Sequence, residues 1–263
     1  MRGCEVLQLL KELVDPVAGD LTEMRCEPFP ILRLTRSPDN AELPIAAAGV
    51  RGDLSKPDTV RAALDGGVEA VLLIWPLDPI SACHEEIARL IEHSGMRWTF
   101  LRPSGFATNT LIWAPQIRRG DTVRWPYGAA RRSLIDERDI AAVAARVLLD
   151  GRHAGERHAL TGPQPLSQVE QLEVIGEAIG RRLRYEEISP ALARQALLRA
   201  WGVPRIAASL LPPGTLPRRM ADGMLAAWAR MTTDPEPVTD TVRAGRPAHT
   251  FAEWAHEHAA QFR

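Results

Sequence analysis

The sequence predicts an α/β protein: an open, mostly parallel sheet in its first half and a small, mostly helical lobe in its second. Three observations carry this. From residue 31 to residue 101 the patterns run strand, strand, helix, strand, helix, strand, the alternation that winds a parallel sheet through helical crossovers. Residues 68–75 (VEAVLLIW) form a near-continuous aliphatic run, which suits a strand covered on both faces. Beyond residue 139 the apolar period becomes helical almost throughout. The expected division is a sheet domain over 1–150 and a helical cap lobe over 151–263, packed on the first.

Taken in order, residues 5–14 (EVLQLLKELV) place apolar side chains at helical spacing, so a helix is expected there. Residues 31–35 (ILRLT) read as a short strand ended by Ser37, Pro38 and Asp39, and 46–51 as a second strand running into Gly52 and Asp53. Residues 57–64 read as a helix with Ser55 as a capping candidate and Gly66 and Gly67 as its stop. The strand at 68–75 follows, then an amphipathic helix over 80–94 ended by Gly95, and a strand at 98–101. Residues 102–128 read as loop-rich. A helix is expected over 139–149 with the Asp139 carboxylate at its start. A short edge strand is expected at 158–160, and a helix over 167–179 with Ser167 and Glu170 spaced as a capping box and Gly180 after its end. From Pro190 onward the pattern is helical, interrupted at 210–217 (LLPPGTLP).

Composition excludes several classes. With 32 basic and 33 acidic side chains in 263 residues the net charge is −1, so no broad field draws nucleic acid or an anionic membrane surface. Cys4, Cys26 and Cys83 are odd in number and lack metal-ligand spacing, as reduced thiols do. No apolar run reaches the length of a membrane span. A cytoplasmic protein is expected, and self-association is compatible with everything read so far.

Six phrases carry a resemblance: LTRSPD (34–39), GDLSKPDTVRAALDG (52–66), AVLLIWP (70–76), HEEIARLIEHSGMRWTFLRPSGFATN (84–109), SLIDERDIAAVA (133–144) and LTGPQPLS (160–167). In this order they resemble the NmrA-like atypical short-chain dehydrogenase/reductase family, over roughly residues 31–190. The resemblance implies a Rossmann-like parallel sheet with a dinucleotide at the carboxyl ends of its strands. It places Thr35 and Arg36 at the adenosine ribose, where an arginine paired with a 2′-phosphate favours NADP. Asp53 and Leu54 would flank the adenine, and Ile74, Trp75 and Pro76 would run under the nicotinamide ribose.

The chain departs from that pattern in three places. The family opens with a strand and G-x-x-G-x-x-G, whose glycines let backbone amides approach the pyrophosphate. Here only Gly3, followed by the helical pattern of 5–14, matches the last glycine of that motif. The chain therefore reads as starting where the first helix starts, with a sheet reduced in strand number. A helix and strand that the family places between Pro76 and His84 are also missing. Finally, neither Tyr127 nor Tyr185 is followed four residues later by lysine, so the Tyr-x-x-x-Lys proton-transfer pair of standard family enzymes is absent. Losing several charge-assisted hydrogen bonds, each worth about 1.5–3 kcal/mol, weakens affinity by several powers of ten, and no measurable NAD(P)H binding is expected of the sequence as it stands.

Other candidates for chemistry are few. The segment 102–128 carries the aromatic and polar side chains of a small-molecule pocket, with Pro103, Phe106, Asn109, Trp113, Trp125 and Tyr127 as its expected lining. His84 opens a helix near the carboxyl end of the strong strand and is the candidate acid or base. His249, His256 and His258 have the spacing of a solvated helix, H-E-x-x-H is absent, and no metal is expected. The sequence thus points to a reductase-lineage protein acting on, or binding, a small organic molecule, ancestrally with NAD(P)H. The alternatives are a cofactor-independent isomerase or cyclase of secondary metabolism and a non-catalytic sensor.

Overall fold

The computed structural model describes residues 31–35, 47–53, 56–65, 68, 70–74, 82–149, 151–200, 216–239 and 246–263. Its first elements are β1 (Ile31–Thr35), β2 (Ala47–Arg51), α1 (Pro57–Leu64), β3 (Ala70–Ile74), α2 (Ala82–Glu92) and β4 (Arg97–Pro103). They reproduce the order read from the sequence. β1 pairs β2 in parallel, Ile31 opposite Ala47. β3 pairs β4 in parallel, Ala70 opposite Arg97, so the crossover through α2 returns to the adjacent strand.

Among the described residues no strand joins β1–β2 to β3–β4. The two parallel pieces are instead held by side chains: Val60 and Leu64 of α1, Leu73 of β3, Ile87 and Ile91 of α2 and Phe100 of β4 form one apolar cluster, with Leu34 of β1 packed against it. Among the described residues, burial of apolar side chains makes this region cohere. The expected helix at 5–14 lies outside the described residues.

After β4 the chain forms a 3-10 helix (Ala107–Trp113), the single turn α3 (Ala114–Ile117), β5 (Thr122–Trp125), β6 (Arg131–Arg132) and α4 (Glu137–Leu149). The segment expected to be loop-rich is therefore largely ordered into short elements. A 3-10 turn (Gly151–His153) leads to β7 (Glu156–Leu160), which pairs β4 in parallel, Thr99 opposite Glu156. Then follow β8 (Leu166–Ser167), α5 (Gln168–Ile179), β9 (Arg184–Glu187), α6 (Pro190–Ala200), α7 (Leu216–Met231) and α8 (Phe251–Glu257). β5 pairs β9 in parallel and β6 pairs β8 antiparallel. Neither pairing is visible in sequence, because each strand has only two to four residues and no alternation long enough to detect.

Packing crosses the expected boundary at residue 150. Leu160 of β7 belongs with Leu101, Ile135 and Ile140 against the sheet. Trp113, Ile117 and Trp125 pack with Leu172, Leu197, Trp228 and Trp254 in the lobe. The chain therefore passes between the two packing units more than once.

Two helix starts differ from expectation. The residue before α1 is Lys56, with no side-chain cap and Pro57 at the first position, while Ser55 lies outside the described residues. Thr59 does the work from within, donating to the carbonyl of Lys56 at 2.8 Å and accepting from the Asp53 amide at 2.8 Å. At α4 the acceptor is Asp136, whose Oδ1 takes the Arg138 amide at 2.8 Å; Asp139 faces elsewhere. The capping box at α5 forms as expected: the Glu170 amide donates to Ser167 Oγ at 3.1 Å and the Ser167 amide to Glu170 Oε2 at 2.7 Å. Gly180 closes the helix in the left-handed region at φ 69°.

Candidate functional site

Several of the candidate residues stand at the carboxyl ends of the parallel strands. β1 ends at Thr35, β2 runs through Gly52 to Asp53, β3 ends at Ile74 and β4 at Pro103. Gly52 lies so close to Leu34 that a Cβ there would stand 2.3 Å from Leu34 Cδ1. This tight approach pins the end of β2 beside the end of β1. Sheets of this kind receive a dinucleotide at strand carboxyl ends. Gly3, Arg36, Leu54, Trp75 and Pro76 lie outside the described residues, as does all of 1–30, where a pyrophosphate cradle would be sought. His84 falls in the first turn of α2.

Beyond Pro103 three segments cross. Ser104 donates its amide to the Leu160 carbonyl at 2.7 Å and its hydroxyl to the Ser133 carbonyl at 2.9 Å. Ile135 donates its amide to the Gly105 carbonyl at 2.9 Å, and Ala107 donates its amide to the Ile135 carbonyl at 2.8 Å. Gly105 and Gly162 permit this: a Cβ on Gly105 would meet Arg132 Nη2 at 1.7 Å, and one on Gly162 the Leu134 carbonyl oxygen at 1.8 Å. The crossing places two half-buried arginines near the strand ends. Arg102 reaches Glu85 of α2 at 3.6 Å, and the Arg132 guanidinium lies 5.9 Å from the Trp228 ring. In the sequence Arg132 reads only as half of an isolated basic pair; its place beside Gly105 depends on a crossing that no local pattern encodes.

The expected pocket lining separates into two groups. Trp113 and Trp125 are 2% and 3% exposed and pack edge-on to one another at 6.5 Å in the lobe core. Pro103 and Phe106 are buried at the crossing, Asn109 is exposed, and Tyr127 is half-buried. Tyr127 has φ 55°, a region that non-glycine residues enter at a cost. Three side chains hold its loop. Glu187 accepts the amides of Tyr127 at 2.9 Å and Gly128 at 3.0 Å, Gln168 donates to the carbonyls of Pro126 and Tyr127, and the Tyr185 hydroxyl donates to the Pro126 carbonyl at 2.9 Å. Burial, helped by the Glu187 charge, pushes the Tyr185 phenol upward, so it stays protonated as a donor.

The start of α4 carries three buried acids, and the C-terminal segment answers two of them. Asp139 accepts the His249 amide at 2.8 Å and faces His249 Nδ1 at 2.9 Å and Arg246 Nη1 at 3.0 Å. Glu137 accepts from Trp254 Nε1 at 3.4 Å and faces His258 Nε2 at 3.3 Å. Asp136 pairs with Arg138, which also reaches Glu257. Burial works to raise the Asp136 carboxyl, but the hydrogen bonds from Arg138 outweigh it and hold the group below the usual carboxylate range. The hydrogen bond to Glu137 lifts His258 above the ordinary imidazole value, against its desolvation. Only His256 of the three C-terminal histidines is exposed; the solvated-helix reading fails for His249 and His258, whose partners lie more than a hundred residues away.

No family model matches the chain. It is 34% identical to a (4-alkanoyl-5-oxo-2,5-dihydrofuran-3-yl)methyl phosphate reductase of Streptomyces griseus, over 81% of this chain and 75% of that protein. It is 32% identical to an NAD(P)H azoreductase of Xenophilus azovorans, over 99% of this chain and 95% of that one. Among solved structures, the NADPH complex of an Escherichia coli quinone oxidoreductase superposes with TM-score 0.69 at 20% identity, over 93% of this chain and 95% of the other. A Citrobacter triphenylmethane reductase with NADP(H) gives TM-score 0.69 at 15% identity, over 94% and 96%. At these identities the structural likeness speaks to the Rossmann-like fold alone.

Proposed function

We propose that this chain, which belongs to the NmrA-like atypical short-chain dehydrogenase/reductase superfamily of NAD(P)H-dependent reductases, is itself a reductase of small conjugated organic molecules that uses NADPH. The observation that supports the reading is the identity of about one-third to two such reductases, in a chain whose Thr35, Asp53, Ile74 and Pro103 stand at or just beyond strand carboxyl ends. Arg36, next to Thr35, is the residue assigned to the 2′-phosphate. A bound reduced nicotinamide supplies a hydride; the chain's own part is to orient the acceptor and stabilise the charge that forms on it. Arg132 suits that part, because a guanidinium beside the strand ends can pair with an oxyanion or a phosphate on the substrate. Asn109 and Tyr127 form the exposed side of the substrate site, and His84 is a proton donor at the start of α2. The relatives act on quinone, azo and alkanoyl-furanone phosphate compounds, so an unsaturated carbonyl compound is the substrate class we favour. The working compartment is the cytoplasm, with no nucleic-acid or membrane partner.

The test is a nicotinamide-fluorescence titration with NADPH, run beside the Xenophilus azoreductase, followed by absorbance assays with a quinone, an azo dye and an alkanoyl butenolide phosphate. Saturable binding, with acceptor-dependent oxidation of NADPH, is the expected result. No saturable binding would overturn it.

A further inference from the structure

A cluster away from the strand carboxyl ends has no part in the chemistry above. His153 closes the 3-10 turn after α4, and Glu156 and His158 follow on β7. Successive side chains alternate across a strand, so Glu156 and His158 share one face. The burial of β7 follows the same alternation, with Glu156 partly covered, His158 and Leu160 buried, and Arg157 and Ala159 exposed. Between turn and strand, Gly155 adopts φ 80°, which reverses the chain and brings His153 back over that face. Two further bonds hold the turn against β4: the Thr99 hydroxyl donates to the His153 carbonyl at 2.9 Å, and the Gly155 amide to the Trp98 carbonyl at 2.7 Å.

The three side chains converge on one point. Glu156 Oε2 lies 2.8 Å from His153 Nδ1 and 3.2 Å from His158 Nε2. The rings stand edge to face at 5.4 Å, and all three ligand atoms lie within 4.8 Å of one another. A tetrahedral zinc ion with bonds of about 2.0–2.2 Å needs donor atoms about 3.3 Å apart. Two of the separations, 2.8 and 3.2 Å, fall just short of that value and the third is within 4.8 Å, so small side-chain rotations would suffice. The donor set, two imidazoles and one carboxylate, matches the ligand preferences of zinc and its neighbours and carries one negative charge towards a dication. His158 is 3% exposed in its side chain and fixed by the strand, which makes it a pre-positioned ligand. A shallow cleft lined by Ala70, Thr99, Val147 and Ala154 opens beside the turn and offers an approach from solvent.

We propose that His153, Glu156 and His158 bind a zinc-class divalent cation, with water completing the shell, and that the ion clips the α4–β7 turn to the sheet. The set is invisible to the usual sequence patterns, because H-x-x-E-x-H matches no common ligand spacing until the left-handed turn at Gly155 folds His153 back. The site is independent of the reductase reading, since none of its residues stands at a strand carboxyl end.

The test uses the full chain, stripped with a chelator and titrated with cobalt chloride and zinc chloride. The expected result is one cobalt per chain with the intense visible bands of four-coordinate geometry, displaced by zinc, and a rise in Tm with zinc. His153→Ala and Glu156→Gln alter partly exposed side chains, and each is expected to weaken zinc by about tenfold or more. His256→Ala, on the exposed face of α8, should leave zinc affinity unchanged. Absence of the cobalt bands in the native chain, or zinc affinity that survives both substitutions, would overturn the site.

Discussion

His258 shows how a single side chain can couple stability to pH. Its Nδ1 lies 2.9 Å from the Trp254 carbonyl and its Nε2 faces Glu137, so both ring nitrogens are placed as donors and the cation is the favoured form. A group whose folded pKa is raised contributes stability that is fully present below the unfolded value, about 6.5, and is lost as pH rises through the folded one. Asp136 works in the opposite sense: its depressed pKa gives stability present above about 3.9 and lost as pH falls through the folded value. The expected outcome is a Tm that declines on the alkaline side of neutrality in the native chain and declines less in His258→Gln. Parallel slopes in the two proteins would exclude this role for His258.

At the scale of elements, the capping box of α5 offers the cleanest measurement. Ser167→Ala removes the acceptor of the Glu170 amide while leaving the apolar face of Leu172, Ile175 and Ile179 in place. A loss of about 1 kcal/mol is expected in chemical denaturation. A change below a few tenths would mean that packing alone fixes the start of this helix. This box was legible in the sequence because all its parts lie within four residues, as were Gly180 and the helix at 57–64. The start of α4 was not, because a carboxylate near a helix start is a capping candidate whatever it turns out to face. Asp136 occupies the cap, and Asp139 is left for His249 and Arg246. The pairing of β5 with β9 spans about sixty residues through strands of four, too short for their periodicity to stand out.

For the molecule as a whole, the order of strands and helices was readable, whereas the division into packing units was not. The aliphatic run at 70–74 marks a strand but not its burial, since only Leu73 of it is buried, and nothing local in Trp113 or Trp125 says whether an aromatic side chain lines a pocket or fills a core. Both belong to the lobe interior, beside Trp254, which is fully buried and stacked between Phe251 and His258. Trp254→Ala is therefore expected to cost about 3–5 kcal/mol, measured by chemical denaturation. A cost near 1 kcal/mol would show that the C-terminal helix is an accessory and not part of the core.

The partnership between α4 and the C-terminal segment also bears on how the chain can be made. Asp136 and Asp139 are almost fully buried and Glu137 nearly so, yet Arg246, His249, Trp254, Glu257 and His258 leave the ribosome more than a hundred residues later. A nascent chain that packed α4 early would bury Glu137 and Asp139 before these partners existed, which costs several kcal/mol per ion, whereas Asp136 has Arg138 beside it from the start. The start of α4 is therefore expected to finish packing only after residues 246–258 have been made.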